Sequence, residues 1–201
     1  MNLETVILII AAYLIGSIPT GIIVAKIIGA PDPRTIGSGN IGATNVGRAA
    51  GKAAGIVTLI GDILKGFLII LFALYIFGNS PREISVIGLA VFLGHLFPIF
   101  LKFKGGKGVA TVLGIFLAIG WLQAILALAI FIIIAAIFRY VSLASMISVV
   151  SLPIVLSLFA ASRPYIPLAV IISILVVLKH ADNIKRLIQR AENKIGSKKT
   201  N

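Results

Sequence analysis

The sequence contains no cysteine, so a disulfide framework, a zinc-thiolate site and a thiol nucleophile are all excluded. Its two histidines, His95 and His180, are too few for a His-rich metal site, and neither a metal nor a cofactor is expected. Ionised side chains are scarce as well: 12% of residues are charged and 59% hydrophobic, where a soluble domain is roughly a quarter charged and half apolar. Water cannot be the main solvent for such a chain, and a bilayer must replace the missing polar surface. Acidic residues number six against 18 lysines and arginines, giving a net charge of +12. In a soluble protein that excess would suggest nucleic acid. Here the positive charges lie in short connections and in the tail, where the positive-inside rule and anionic headgroups account for them, so no nucleic-acid partner is expected. The segment Met1-Asn2-Leu3-Glu4 puts no basic residue before the first apolar run, which therefore lacks the n-region of a secretory signal and reads as a retained span.

Thr5 to Ala25 is uncharged for 21 residues, enough at about 1.5 Å per residue to cross a hydrocarbon core of about 30 Å. Gly29 to Gly55, rich in Gly, Asn, Ser and Thr, is too polar for lipid and reads as a loop with room for a short interfacial helix. A second span is expected from about Ile56 or Gly61 to Phe77, a turn at Gly78-Asn79-Ser80-Pro81-Arg82, and a third span over Ile84 to Leu101. A compact basic loop, Lys102 to Gly108, follows. Val109 to Phe138 is uncharged for 30 residues, about 45 Å as one helix or two short helices hinged near Gly120. Val141 to Ala161 and Ile166 to Leu178 complete the spans, separated by Ser162-Arg163-Pro164-Tyr165 and followed by a basic tail.

Charge decides between one long helix and a hinge. With the hinge, Lys26, Arg34, Arg48, Lys52, the loop lysines, Arg139 and the tail share one side, and only Arg82 and Arg163 face the other. Without it, Arg139 and the tail cross over. The positive-inside rule thus predicts an all-α polytopic membrane protein with seven transmembrane helices, N-terminus outside and C-terminus cytoplasmic, as a single domain over residues 1–201. No convincing repeat relates the two halves, which weakens the case for a secondary transporter.

Three segments carry polar chemistry. In Ile36 to Arg48, glycines let successive N–H groups face one concavity, and Ser38, Asn40, Thr44 and Asn45 add donors, a composition suited to an oxyanion or phosphate. Arg48 adds a bidentate charge. Gly37, Gly39 and Gly42 match the dinucleotide spacing, but they follow a membrane helix rather than a strand, and Gly42 to Arg48 departs from a P-loop at Arg48 and Ala49. In the second segment Lys107, between glycines and ahead of a new helix, can combine its ammonium with N-terminal amides. Lys102 suits snorkelling, and His95 is expected to be buried, with packing and function equally open to it. In the third, Ser142 and Ser145 share one helical face, as do His180 and Asn183 at the end of the last span, a pair able to orient or deprotonate a hydroxyl. Asp62 and Lys65, i and i+3 at a span entrance, read as a mutually neutralising structural pair.

Gly16-Ser17-Ile18-Pro19-Thr20-Gly21, the Gly37 to Arg48 loop, Gly61-Asp62-Ile63-Leu64-Lys65-Gly66, Gly94-His95 with Phe103 to Thr111, Arg139 to Ser145, and His180 with Asn183-Ile184 together resemble the bacterial acyl-phosphate:glycerol-3-phosphate acyltransferase family, nearly end to end and in order. One departure is Arg190, before Glu192, where that family usually has Gly; it puts the end of the last helix in question. The resemblance implies transfer of a fatty acyl group from acyl phosphate to the sn-1 hydroxyl of glycerol 3-phosphate, giving lysophosphatidic acid and phosphate, at the cytoplasmic side of the cell membrane. Its partners would be glycerol 3-phosphate, fatty acyl phosphate and membrane lipids, with other phospholipid-synthesis enzymes as candidates. Lys107, Arg48, His180 and Asn183 are then the expected catalytic residues. Ser38, Gly39, Asn40, Thr44, Asn45, Lys104, Gly105, Gly106, Ser142 and Ser145 are the expected substrate-binding ones. Consistent with direct transfer, there is no G-x-S-x-G elbow, and the positions five after His95 and His180 are Phe100 and Lys185, not the Asp of the His-x4-Asp acyltransferases. A small anion or organophosphate transporter is the competing class.

Overall fold

The computed structural model describes residues 2–78 and 80–196. Asn79 of the expected 78–82 turn, and Lys198 and Lys199 of the basic tail, lie outside the described residues. Every regular element among those described is helical. Four helices are long and apolar enough to cross a membrane, or five spans if one bent pair is counted as a single crossing. The chain divides into two compact units, Met1–Ile119 and Gly120–Asn201.

The first unit opens with α1 (Leu3–Gly16) and α2 (Thr20–Ile27), bent by 43°. The uncharged stretch from Thr5 to Ala25, read as one span, is a bent pair of helices rather than a straight one, and the pair together is long and apolar enough for one crossing. Pro19 explains the break, because it lacks an N–H and its ring displaces the backbone before it. The hydroxyl of Ser17 caps the turn by donating to Tyr13 O at 2.8 Å. After Gly29 the chain passes a short 3-10 turn, Pro33–Thr35, and enters α3 (Ala43–Ala50), so the expected polar loop is helical over its second half. Gly51, at φ 91, redirects the chain into α4 (Lys52–Phe77). That span begins several residues before either expected start. Its first turn packs on α3, where Gly47 and Gly55 let the two backbones approach.

The third span is α5 (Pro81–Leu96), with Pro81 at the first helical position, where its missing N–H costs nothing. The α-helix ends before Pro98 and a 3-10 turn, Ile99–Leu101, follows it, so that Pro81–Leu101 together are long and apolar enough to cross and end where the third span was expected to. Next, α6 (Val109–Ile119) packs along α4, and α5 packs along α1. Both pairs approach through glycine: a methyl on Gly16 would overlap the carbonyl of Val91, and one on Gly114 would overlap that of Ile63. Small residues at such crossings let main chains touch where hydrocarbon provides no hydrophobic drive for association.

In the second unit, α7 (Trp121–Phe138) begins one residue after Gly120, so the uncharged run from Val109 breaks at the expected hinge. Gln123 is buried near its start and donates through Nε2 to the Ser162 hydroxyl at 2.8 Å, which keeps an amide tolerable in an apolar setting. Trp121, Ile132, Ile133 and Ile137 are exposed along α7, an arrangement that suits hydrocarbon rather than water. Then α8 (Val141–Ser157) packs between α7 and α9 (Ile166–Lys179), and α10 (Ala181–Ile188) follows. His180 stands at the α9–α10 junction while Asn183 lies on α10, so the two do not share the last span as expected.

Candidate active site

Residues 33–48 form a loop closed on itself by one buried side chain. Asn45, in the first turn of α3, donates through Nδ2 to the carbonyls of Pro33 (2.7 Å), Ile36 (3.0 Å) and Asn40 (2.8 Å). Its Oδ1 accepts the Ser38 N–H at 3.0 Å. The Asn45 amide thus organises the concavity from behind. Gly37 and Gly39 adopt φ 62 and φ 68, which L-residues with a Cβ rarely enter. Asn40 Oδ1 accepts the Gly42 N–H at 2.7 Å. Ser38 and Thr44 are exposed, as is Arg48 in the last turn of α3. At the loop entrance Arg34 grips Asp32 through its side chain and its backbone N–H, which holds the Asp32 carboxyl below its ordinary value.

The second polar segment leaves α5 through two consecutive left-handed residues, Lys102 (φ 51) and Phe103 (φ 63). Each costs about 1–2 kcal/mol in a residue with a Cβ. Lys104 is exposed and Lys107 half-buried, while Gly105 and Gly106 press against the end of α5. The Gly106 N–H donates to the His95 carbonyl at 3.1 Å. Gly108, at φ 81, then starts α6.

Behind this segment lies a buried ionic cluster that the sequence reveals only in part. Lys65 Nζ is 2.9 Å from Asp62 Oδ1, as the i, i+3 spacing implies. It is also 2.7 Å from His95 Nδ1 and 3.4 Å from the Ile18 carbonyl at the α1–α2 break. His95 Nδ1 also lies 3.6 Å from Asp62 Oδ1, so the three side chains form one contiguous network. The signal that could have joined His95 to the pair is its position: a histidine within an apolar span requires a polar partner.

In the second unit one carboxylate collects Ser142 and Asn183 among the expected residues, while Ser145 and His180 bond elsewhere or pack beside them. Glu192 Oε1 accepts from the Ser142 hydroxyl (2.8 Å) and from Asn183 Nδ2 (2.7 Å), and Oε2 takes Arg186 Nε at 2.8 Å. Burial pushes the Glu192 carboxyl up, but the hydrogen bonds from Arg186, Asn183 and Ser142 outweigh it and hold the group below its ordinary value. Ser145 is buried one turn beyond Ser142 on α8. His180, 2% exposed, donates through Nδ1 to the Val176 carbonyl at 2.8 Å, which fixes Nε2 as the basic nitrogen of the neutral ring. Arg190, at φ 54, ends α10: its N–H donates to Leu187 O and that of Ala191 to Arg186 O. This hydrogen-bond pair is a Schellman turn, and the left-handed residue it needs is commonly glycine.

The family model for glycerol-3-phosphate acyltransferase matches residues 6–190. The chain belongs to the glycerol-3-phosphate acyltransferase family. A glycerol-3-phosphate acyltransferase of Geotalea daltonii is 50% identical over 189 residues, covering 94% of this chain and 96% of the relative. That of Geobacter sulfurreducens is 45% identical over 192 residues, covering 96% and 98%. Among solved structures, PlsY, an integral membrane glycerol 3-phosphate acyltransferase crystallised in its glycerol 3-phosphate form, superposes with a TM-score of 0.92 at 40% identity, covering 96% of each chain. Its lysophosphatidic acid form gives 0.88 at 38% identity. The basic loops and apolar helices are thus those of a chain in an acyltransferase family.

Proposed function

We propose that this acyltransferase uses a fatty acyl phosphate as donor and acylates the sn-1 hydroxyl of glycerol 3-phosphate. The observation that carries this reading is the first unit's pair of Gly-rich basic loops, the Asn45-braced loop with Arg48 and the His95-backed loop with Lys104 and Lys107. Acceptor and donor each present a phosphate, and each loop offers cations and main-chain N–H groups suited to one.

The glycerol hydroxyl attacks the acyl carbonyl carbon, the bond from that carbon to the phosphate oxygen breaks, and inorganic phosphate leaves with the electron pair. Arg48 and Lys107 offset the charge that grows on the phosphate in the transition state. Ser38, Asn40, Thr44 and Lys104 bind substrate phosphates, Gly39, Gly105 and Gly106 shape the two loops around them, with the N–H groups of Gly39 and Gly106 donating within the protein, and Asn45 braces the first loop. Ser142, Ser145 and Asn183 position substrate. The hydroxyl proton passes either to His180 Nε2 or to a phosphate oxygen of a substrate. An acyl phosphate is already activated, so no covalent acyl-enzyme is required.

The whole chain serves as one functional domain. In the bacterial cytoplasmic membrane it crosses seven times, with the α1–α2 pair as one crossing and α6 and α8 counted beside the longer apolar segments Lys52–Phe77, Pro81–Leu101, Trp121–Phe138 and Ala160–Lys179, N-terminus outside and C-terminus cytoplasmic. The positive-inside rule supports this, since it gathers the phosphate-binding loops and the tail on the cytoplasmic face. Cysteines introduced at Ser38 and at His180 should then resist a membrane-impermeant reagent added to intact cells. For the reaction itself, purified protein given palmitoyl phosphate and glycerol 3-phosphate should release phosphate and 1-acyl product in equal amounts. Product formed from acyl-CoA or acyl carrier protein, with palmitoyl phosphate inert, would refute the donor.

A further inference from the structure

Asp62, Lys65 and His95 are the buried ionisable cluster for which the reaction above has no use. All three are almost fully enclosed, at 3%, 8% and 4% exposure. A charge pair inside a membrane protein is expensive to keep, and replacing it with apolar residues often costs little stability, so its presence needs a further reason. The surroundings of His95 provide one. The face of the ring turned away from Lys65 lies directly against Gly106, where a methyl group would overlap His95 Nε2 and come within 3.0 Å of Cε1. The main chain of the same histidine accepts the Gly106 N–H at 3.1 Å. A methyl on Gly105 would likewise overlap the His95 carbonyl.

We propose that His95 is a positioning residue: locked from behind by Lys65 and Asp62, it presents a fixed surface on which Gly105 and Gly106 are laid, and so sets the places of Lys104 and Lys107. The imidazole cannot swing, because Lys65 holds Nδ1 at 2.7 Å and is itself held by Asp62 at 2.9 Å. Lys65 also reaches the Ile18 carbonyl at the bend of the first helix pair, which ties α1–α2, α4 and α5 to the same anchor. The two glycines act here through absence of volume. Asp62 and Lys65 thereby hold an imidazole that holds a loop, and positioning errors of about 1 Å can cost on the order of a hundredfold in rate. This inference rests on the reading that the Lys104–Lys107 loop binds a substrate phosphate.

The test is a double-mutant cycle on the full-length protein in detergent, with palmitoyl phosphate and glycerol 3-phosphate as probes. Gly106→Ala alone should lower kcat/KM by at least about tenfold, whereas in a His95→Ala background, where the vacated ring leaves room for the methyl, it should cost no more than about twofold. Losses that simply multiply would overturn the proposal. His95→Asn, which keeps an acceptor near Lys65 but withdraws from Gly106, guards against a variant that does not fold. In this variant, hydrogen exchange over residues 103–108 should quicken while the melting temperature stays near that of the parent and the KM for one substrate rises. Unchanged exchange would overturn the positioning role. Faster exchange with unchanged turnover would uphold it and refute the loop's part in the reaction instead.

Discussion

Asn183 donates to Glu192 Oε1 at 2.7 Å, so a residue expected to meet substrate is itself held by a carboxylate nine positions further on. Ser142 donates to the same oxygen at 2.8 Å, and the two polar groups from α8 and α10 are thereby fixed at a common point. Glu192→Gln keeps the shape but weakens charge-assisted bonds to three donors, and turnover should fall by at least about tenfold, equivalent to about 1.4 kcal/mol of barrier. Because the carboxyl is held below its ordinary value near 4.5, its stabilisation is fully present above that value and is lost as pH falls through the depressed folded value. Thermal unfolding of parent and Glu192→Gln across that acidic range should converge. Parallel curves would exclude Glu192 as the source.

Asn45 holds the first loop through both ends of its amide. Replacing it by Asp preserves size and the bond from the Ser38 N–H but turns the two Nδ2 hydrogens shared among the carbonyls of Pro33, Ile36 and Asn40 into repulsion between a carboxylate and those carbonyls. Asn45→Asp should therefore be more damaging than Asn45→Ala, which itself should cost roughly 2–3 kcal/mol in stability. Limited proteolysis of residues 33–44 is the direct readout, with cleavage fastest in the Asp variant.

Arg190 carries a prediction of the opposite sign. It occupies a left-handed position that favours glycine, at φ 54. Arg190→Gly should stabilise the chain by about 1 kcal/mol, raising the unfolding midpoint by about 2–4 °C without changing kcat. A lowered midpoint would mean that the arginine side chain makes a contact worth more than the backbone strain.

Lys107→Ala should reduce turnover by at least about tenfold. Arg48→Lys should recover only part of what Arg48→Ala loses, since an ammonium cannot make the two parallel bonds of a guanidinium. Near-normal turnover in a folded Lys107→Ala protein would remove that residue from the reaction.

Much of this architecture could be read from residue order because the governing signals are local. Uncharged runs mark helices, Gly120 marks a break, and the Asp62–Lys65 spacing marks a pair. Long-range consequences were less visible. Pro19 bends the first span because its ring acts on the preceding turn, yet an uncharged stretch of the same length gives no hint of a bend in its hydropathy alone. The connection of Lys65 to His95, 30 positions on, depends on how α4 and α5 pack, and that of Glu192 to Ser142, 50 positions back, on how the tail folds over α8. Arg190 was legible as a departure from its relatives. Its meaning, a left-handed helix end, required the backbone angle.

Direct transfer from acyl phosphate leaves no enzyme-bound acyl group, and a single-turnover experiment separates it from a two-step route. Enzyme in excess over radiolabelled palmitoyl phosphate, with no acceptor, should show neither a burst of inorganic phosphate nor label on the protein. Adding glycerol 3-phosphate should then release phosphate and labelled lysophosphatidic acid together, mole for mole. A phosphate burst accompanied by acylated protein, before any acceptor is supplied, would show that the acyl group passes through the enzyme.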